Sequence, residues 1–157
     1  MLFTKKKSSL LAVANGRAIH LANVPDEAFS TGLLGQGFAI DPNDGNIYSP
    51  IAGCLQTISE SKHAYTIFSD DGLDLLIHIG IDSVVLKGEG FTPLCEAGDQ
   101  LKAGDALAQV DLALLEARGI PRIIPVVITN PERLKDIDFA YGPTEGGKSE
   151  VMHYRLG

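Results

Sequence analysis

Two histidines interrupt strand-length apolar runs that follow one another in the chain. His63 lies in SKHAYTIFS (61–69) and His78 in LDLLIHIGID (73–82). The second run could bury itself without an imidazole, so the imidazole asks for a use. Successive side chains of a strand face opposite ways. Leu75, Ile77, Ile79 and Ile81 then form an unbroken core face. Asp74, Leu76, His78, Gly80 and Asp82 form the other face, where Gly80 leaves space beside the His78 ring. Asp70-Asp71-Gly72 between the runs reads as a hairpin turn. A two-residue turn at Asp70-Asp71 or a four-residue turn over Ser69–Gly72 sets His63 directly across from His78, with Cβ atoms roughly 4.5–5.5 Å apart, and an Asp71-Gly72 turn shifts the pairing but keeps both rings on one face. A three-residue loop without a bulge separates the two rings.

Facing imidazoles suit few tasks. They can hold a metal ion, shuttle a proton, or divide labour, one ring attacking while the other donates a hydrogen bond. The last arrangement fits phosphoryl transfer, in which a ring nitrogen attacks phosphorus and nearby donors spread the oxygen charge. His20 and His153 stand alone and read as surface residues. Asp71, Asp74 and Asp82 read mainly as charges on solvated faces. Cys54 and Cys95 form no CxxC and no ligand spacing with histidine, which leaves two reduced thiols.

The elements that must carry these rings are strands. The 157 residues include 17 glycines and 8 prolines, and 45% are hydrophobic. Turn signals recur at Asn15-Gly16, Asp41–Gly45, Ala52-Gly53, Lys87–Gly90, Gly98-Asp99, Gly104-Asp105 and Tyr141–Pro143. Their rhythm is that of an all-β, antiparallel sandwich or barrel. One short helix is expected over Leu112–Arg118, capped by Asp111, ended by Gly119 and blocked by Pro121. Pro131–Lys135 reads as a single turn. VANGRAIHL (13–21) and PIAGCLQTI (50–58) share a central Gly before a strand-like run, and Gly-Asp-x-Leu recurs within 98–107, which points to similar half-units. Residues 1–10 read as a flexible tail and 11–157 as a single domain. Lys5, Lys6 and Lys7 beside Leu2, Phe3, Leu10 and Leu11 could make a weak contact with an anionic membrane surface, although a solvated tail is the simpler reading. No secretory signal and no apolar run long enough to span a bilayer are present. The net charge of −7 argues against nucleic acid and for a basic partner.

GLDLLIHIGIDSVVLKGEGF (72–91), preceded by SKHAYTIFS, closely resembles the glucose-type IIA component of the bacterial phosphoenolpyruvate-dependent sugar phosphotransferase system. NVPDEAFSTGLLGQGFAIDP (23–42), IYSPIAGCLQTI (47–58), AGDQLKAGDALAQVDLALLEARG (97–119) and PVVITN (125–130) extend the likeness over most of the chain. The resemblance implies a β-sandwich of the duplicated-hybrid, barrel-sandwich type and a cytoplasmic phosphotransferase. His78 would take phosphate on Nε2 from the histidine-containing phosphocarrier protein and pass it to a cysteine of the IIB domain of a membrane sugar transporter. His63 would donate to the phosphate, the Ser61 hydroxyl would orient His63, the Gly80 carbonyl would hold Nδ1–H of His78, and Asp82 would border the site. Phe29, Leu33 and Leu76 would belong to an apolar docking rim. No cofactor would be required, although the two rings could pick up zinc adventitiously.

Glu27, Ala28 and Ser59 depart from this pattern, standing where the family has bulkier apolar residues. Lys62, beside His63, is unusual and is expected to face solvent. Residues 144–157 match the family poorly and are expected to form an edge strand. The alternatives are a regulator that binds transporters or metabolic enzymes and reports sugar influx, a zinc hydrolase of similar fold, and a carrier domain presenting Lys102. The hydrolase reading suffers from the lack of His-x-His and of a secretion signal.

Overall fold

Wherever the sequence alternates turn residues with apolar runs, the chain doubles back on itself. The computed structural model describes residues 7–157. Its strands are β1 (Ser8–Leu11), β2 (Gly16–His20), β3 (Gln36–Pro42), β4 (Asn46–Tyr48), β5 (Gly53–Ile58), β6 (Ala64–Ser69) and β7 (Asp74–His78). They continue with β8 (Phe91–Pro93), β9 (Gln100–Leu101), β10 (Ala106–Val110), β11 (Ile124–Ile128), β12 (Leu134–Phe139), β13 (Gly142–Thr144) and β14 (Glu150–Leu156). Two short helices, α1 (Glu27–Ser30) and α2 (Leu112–Ala117), and three single 3-10 turns are the helical elements among the described residues. Helix α2 starts where the sequence places it: the Asp111 carboxylate accepts the Leu114 N–H at 3.1 Å. Pro131–Arg133 is one of the 3-10 turns.

All strand pairs are antiparallel. An eight-stranded sheet runs β13-β2-β3-β11-β7-β6-β5-β9, and two three-stranded sheets run β1-β14-β12 and β4-β10-β8. The order repeats about the β11–β7 pair. On one side β2 pairs with β3 and β13; on the other β5 pairs with β6 and β9. The glycines of the two echoing segments, Gly16 and Gly53, open the equivalent strands β2 and β5. A Cβ on them would lie 2.0 Å from the Asp41 carbonyl oxygen and 2.4 Å from that of Phe68, so only glycine lets the two backbones approach so closely.

The main core gathers Leu75 and Ile77 of β7 and Ile79 just beyond it with Phe38, Ile40, Val126 and Ile128. A second, smaller cluster lies on the other face of the large sheet: Val24, Phe29, Ala39, Ile81 and Val127, with Leu76 packed against it. Strand β11 is therefore buried on both faces, and all five of its residues are buried. Among the described residues no helix is long and apolar enough to cross a membrane.

Three expectations are corrected here. The 1–10 tail is in part a strand: Ser8–Leu11 form β1 against β14, with Leu10 fully buried. Leu2, Phe3, Lys5 and Lys6, the residues considered for membrane contact, lie outside the described residues, while Lys7 pairs with Asp138 at 3.4 Å. The C-terminal segment is no edge: β14 is the middle strand of its sheet, and Val151, Met152 and Tyr154 are fully buried. Pairing on both sides by segments distant in sequence leaves no local signature, which is why the pattern alone misplaces it. The third correction concerns the hairpin register. Phe68 pairs with Asp74 and Ala64 with His78, so the connection is the three-residue loop Asp70–Gly72. The Ser69 hydroxyl accepts the Leu73 N–H at 2.8 Å and bonds the Asp71 carboxylate, closing that loop.

Candidate functional site

With this register His63 lies across from Ile79, whose N–H donates to the His63 carbonyl at 2.7 Å. Strict alternation would then send the two rings to opposite faces. They meet nonetheless, edge to face, with centroids 4.8 Å apart and planes at 81°. The reason lies at the strand end. Strand β6 begins only at Ala64, and Lys62 before it sits in the left-handed region at φ 61°. The β5–β6 loop, and not the pleat, therefore directs the His63 side chain. The same twist turns Lys62 to solvent.

His78 is the last residue of β7. Beyond it the chain curls through Gly80 at φ 79° and Asp82 at φ 58° into the 3-10 turn Ser83–Leu86. The curl is pinned from below: the Gly80 and Ile81 N–H groups donate to Ile123 and Pro121, and the Ser83 hydroxyl donates to the Ile79 carbonyl at 2.6 Å. The Gly80 carbonyl is thereby presented to the ring, 2.7 Å from Nδ1 of His78. A carbonyl only accepts, so Nδ1 carries the proton and Nε2 keeps a free lone pair in the neutral ring.

The His78 ring packs against Phe29 at 5.4 Å between centroids. Phe29 is held by α1, whose N-cap Asp26 accepts the Ala28 N–H at 2.8 Å. On the far side, His63 approaches Phe91 at 6.4 Å. The Ser59 hydroxyl lies 3.3 Å from Nδ1 of His63, and the Ser61 main chain raises the pKa of the ring. The hydroxyl at the second ring is thus that of Ser59; Ser61 contributes main chain. Asp82 is exposed on the curl.

Both imidazoles titrate below their ordinary value of 6.5. For His63 burial lowers the pKa most, then the charge of His78, against a raising bond from Ser61. For His78 burial again dominates, opposed by the Gly80 carbonyl and by the charges of Asp26 and Asp82. Two neutral rings face one another, one with an accessible lone pair, beside carboxylates that favour any positive charge the ring acquires. Such a pair can accept and release an electrophile.

Of the residues expected at an apolar rim, Leu33 is 79% exposed, Leu76 is half-buried, and Phe29, at 4%, is not a surface residue. Phe29 serves as a wall behind His78, because α1 folds it into the second core cluster. Sequence reasoning missed the exposed Val84 and Val85, 52% and 64% accessible on the curl after Asp82. It also missed Asp26. An acid after Pro25, followed by Glu27 and an apolar pair, is a helix-start signal that would have revealed it. Paired valines in a turn are themselves a signal, since turns rarely spend β-branched residues without burying them.

The chain resembles several known proteins. The sequence profile of the phosphoenolpyruvate-dependent sugar phosphotransferase system family, EIIA 1, matches residues 8–134. The chain is 42% identical over 148 residues to the "PTS system glucose-specific EIIA component" of Halalkalibacterium halodurans, covering 94% of this chain and 86% of that one. It is 43% identical over 118 residues to the "PTS system beta-glucoside-specific EIIBCA component" of Bacillus subtilis, covering 75% of this chain and 19% of that longer protein. The solved structure of glucose permease IIA from Mycoplasma capricolum superposes with a TM-score of 0.87 at 33% identity, covering 98% of this chain and 99% of that one.

Proposed function

The chain belongs to the EIIA 1 family of the phosphoenolpyruvate-dependent sugar phosphotransferase system, and from that premise and the geometry of the ring pair we propose that Nε2 of His78 is the atom that carries the phosphoryl group. The protein is a phosphotransferase component of glucose type. It holds a phosphoryl group between proteins and passes it to the IIB part of a sugar transporter. The observation that carries the residue assignment is the 2.7 Å contact of His78 Nδ1 with the Gly80 carbonyl, which fixes the proton on Nδ1 and frees Nε2.

The donor in this reading is the histidine-containing phosphocarrier protein, and the compartment is the cytoplasm, where phosphoenolpyruvate is made. The net charge of −7 favours approach of a basic donor. The Nε2 lone pair attacks phosphorus. The new N–P bond forms as the donor's P–N bond breaks, and the leaving ring nitrogen of the donor keeps the electron pair. His78 retains its Nδ1 proton on Gly80, so the phosphorylated ring is cationic. Asp26 and Asp82 favour that cation, and a cationic ring is the better leaving group. A cysteine thiolate of the IIB partner then attacks the same phosphorus, and His78 departs as the neutral ring from which it started. His63 presents an N–H to the phosphoryl oxygens as charge shifts between them. Exposed Leu33, Val84 and Val85 on flanking loops give a docked partner apolar surface with which to exclude water. No step uses a cofactor.

The test is reconstitution with phosphoenolpyruvate, enzyme I, the phosphocarrier protein and a IIB domain. Wild type is expected to accept one phosphate and deliver it. His78→Ala accepts none. His63→Gln is labelled but delivers at least about tenfold more slowly, the loss of one charge-stabilising donor. Normal delivery by His63→Gln would remove His63 from the mechanism.

A further inference from the structure

The hydroxyl that meets the second histidine is not the one two residues before it but the one four residues before it. Ser59 Oγ lies 3.3 Å from His63 Nδ1 and accepts the Ala64 N–H at 3.1 Å. The main chain of Ser59 is fixed as well. Its N–H donates to the Ala64 carbonyl at 2.9 Å, and its carbonyl accepts the Lys62 N–H at 2.8 Å. Ser59 therefore sits locked where the β5–β6 loop closes. One lone pair of its oxygen is taken by Ala64, and one O–H proton remains to be placed. The ring nitrogen is the acceptor within reach.

We propose that Ser59 is the positioning residue for His63: its O–H donates to Nδ1 and holds the ring as the neutral Nε2–H tautomer, edge-on to His78. A ring bonded through Nδ1 has Nε2–H left for a phosphoryl oxygen, and it donates without carrying a charge. The Ser61 main chain favours the charged ring. The hydroxyl of Ser59 opposes that preference. A neutral donor also suits a buried pair in which a second positive ring would repel the cationic phosphohistidine. The consequence for transfer rests on the phosphocarrier reading above; the hydrogen bond and tautomer do not.

The experiment combines imidazole nitrogen NMR of the full chain, at a pH where both rings are neutral, with the rates of phosphoryl acceptance and of delivery to IIB. Wild type is expected to show His63 protonated on Nε2 and bare on Nδ1. In Ser59→Ala the Nδ1–H tautomer should take over, and delivery should slow roughly three- to tenfold relative to acceptance, the size of one hydrogen bond. Ser59→Thr should restore both, which a merely structural role would not require. Three results would overturn the assignment: a wild-type His63 protonated on Nδ1, an Ser59→Ala protein with wild-type tautomer and delivery, or the tautomer change following Ser61→Ala instead. A wild type that takes no phosphate would remove the phosphocarrier reading, and the tautomer measurement would still decide the Ser59 contact.

Discussion

A carbonyl oxygen beside Nδ1 of His78 leaves Nε2 as the nitrogen proposed to react, and burial sets the pH range over which the ring is neutral. His78 is lowered below 6.5 first by burial, with Gly80, Asp26 and Asp82 opposing. His63 is lowered by burial and then by His78. Phosphoryl acceptance is therefore expected to hold down through mildly acid pH, with its inflection below 6.5. An inflection at or above 6.5 in the acceptance rate would contradict the burial argument. The linkage has the same sign. Both folded pKa values lie below the unfolded value, so the unfolded chain binds more protons on acidification. The contribution of these rings to stability is complete above 6.5 and is lost as pH falls from there through the folded values. At this scale the sequence was legible where residue type alone spoke, as at His63 and His78. It did not disclose the parts that Ser59 and Asp26 play at the rings, which depend on how a loop and a helix cap turn.

The element that matters most is the corner between β7 and the 3-10 turn at Ser83–Leu86. Gly80 stands at φ 79°, and a Cβ there would lie 3.2 Å from the Pro121 carbonyl oxygen and 3.3 Å from Leu115 Cδ2. Gly80→Ala is expected to cost about 1–2 kcal/mol of stability and to slow phosphoryl acceptance, because the strained corner moves the carbonyl that holds Nδ1. Denaturant unfolding together with the acceptance rate checks this, and wild-type values in both would sink it. The opposite lesson comes from the hairpin. An even-length turn is a sound expectation for Asp-Asp-Gly, yet Ser69 and Asp71 close a three-residue loop. The rings meet because Lys62 and the late start of β6 undo the alternation. The juxtaposition was legible, and its cause was not, since φ at Lys62 has no sequence signature.

At the scale of the molecule, the repeated order about β11 and β7 places the ring pair beside the central strands, where β7 is held by β6 on one side and β11 on the other. The rhythm of glycine turns and the echo of Gly16 and Gly53 announced this architecture, because close backbone approach forbids any other residue there. The station of β14 was not announced. Ser8 pairs with Tyr154 and Phe139 with Met152, and no local pattern records partners so distant in sequence. In the proposed reading, one free ring nitrogen at the end of a central strand, next to a neutral donor, is where the chain holds the phosphoryl group that it passes between proteins.

The most direct measurement is the site of the phosphorus–nitrogen bond. Phosphorus and nitrogen NMR of the chain, labelled through phosphoenolpyruvate, enzyme I and the phosphocarrier protein, should show one acid-labile phosphate bonded to Nε2 of His78. A bond to Nδ1 of His78, a phosphate on His63, or label that persists in His78→Ala would contradict the account.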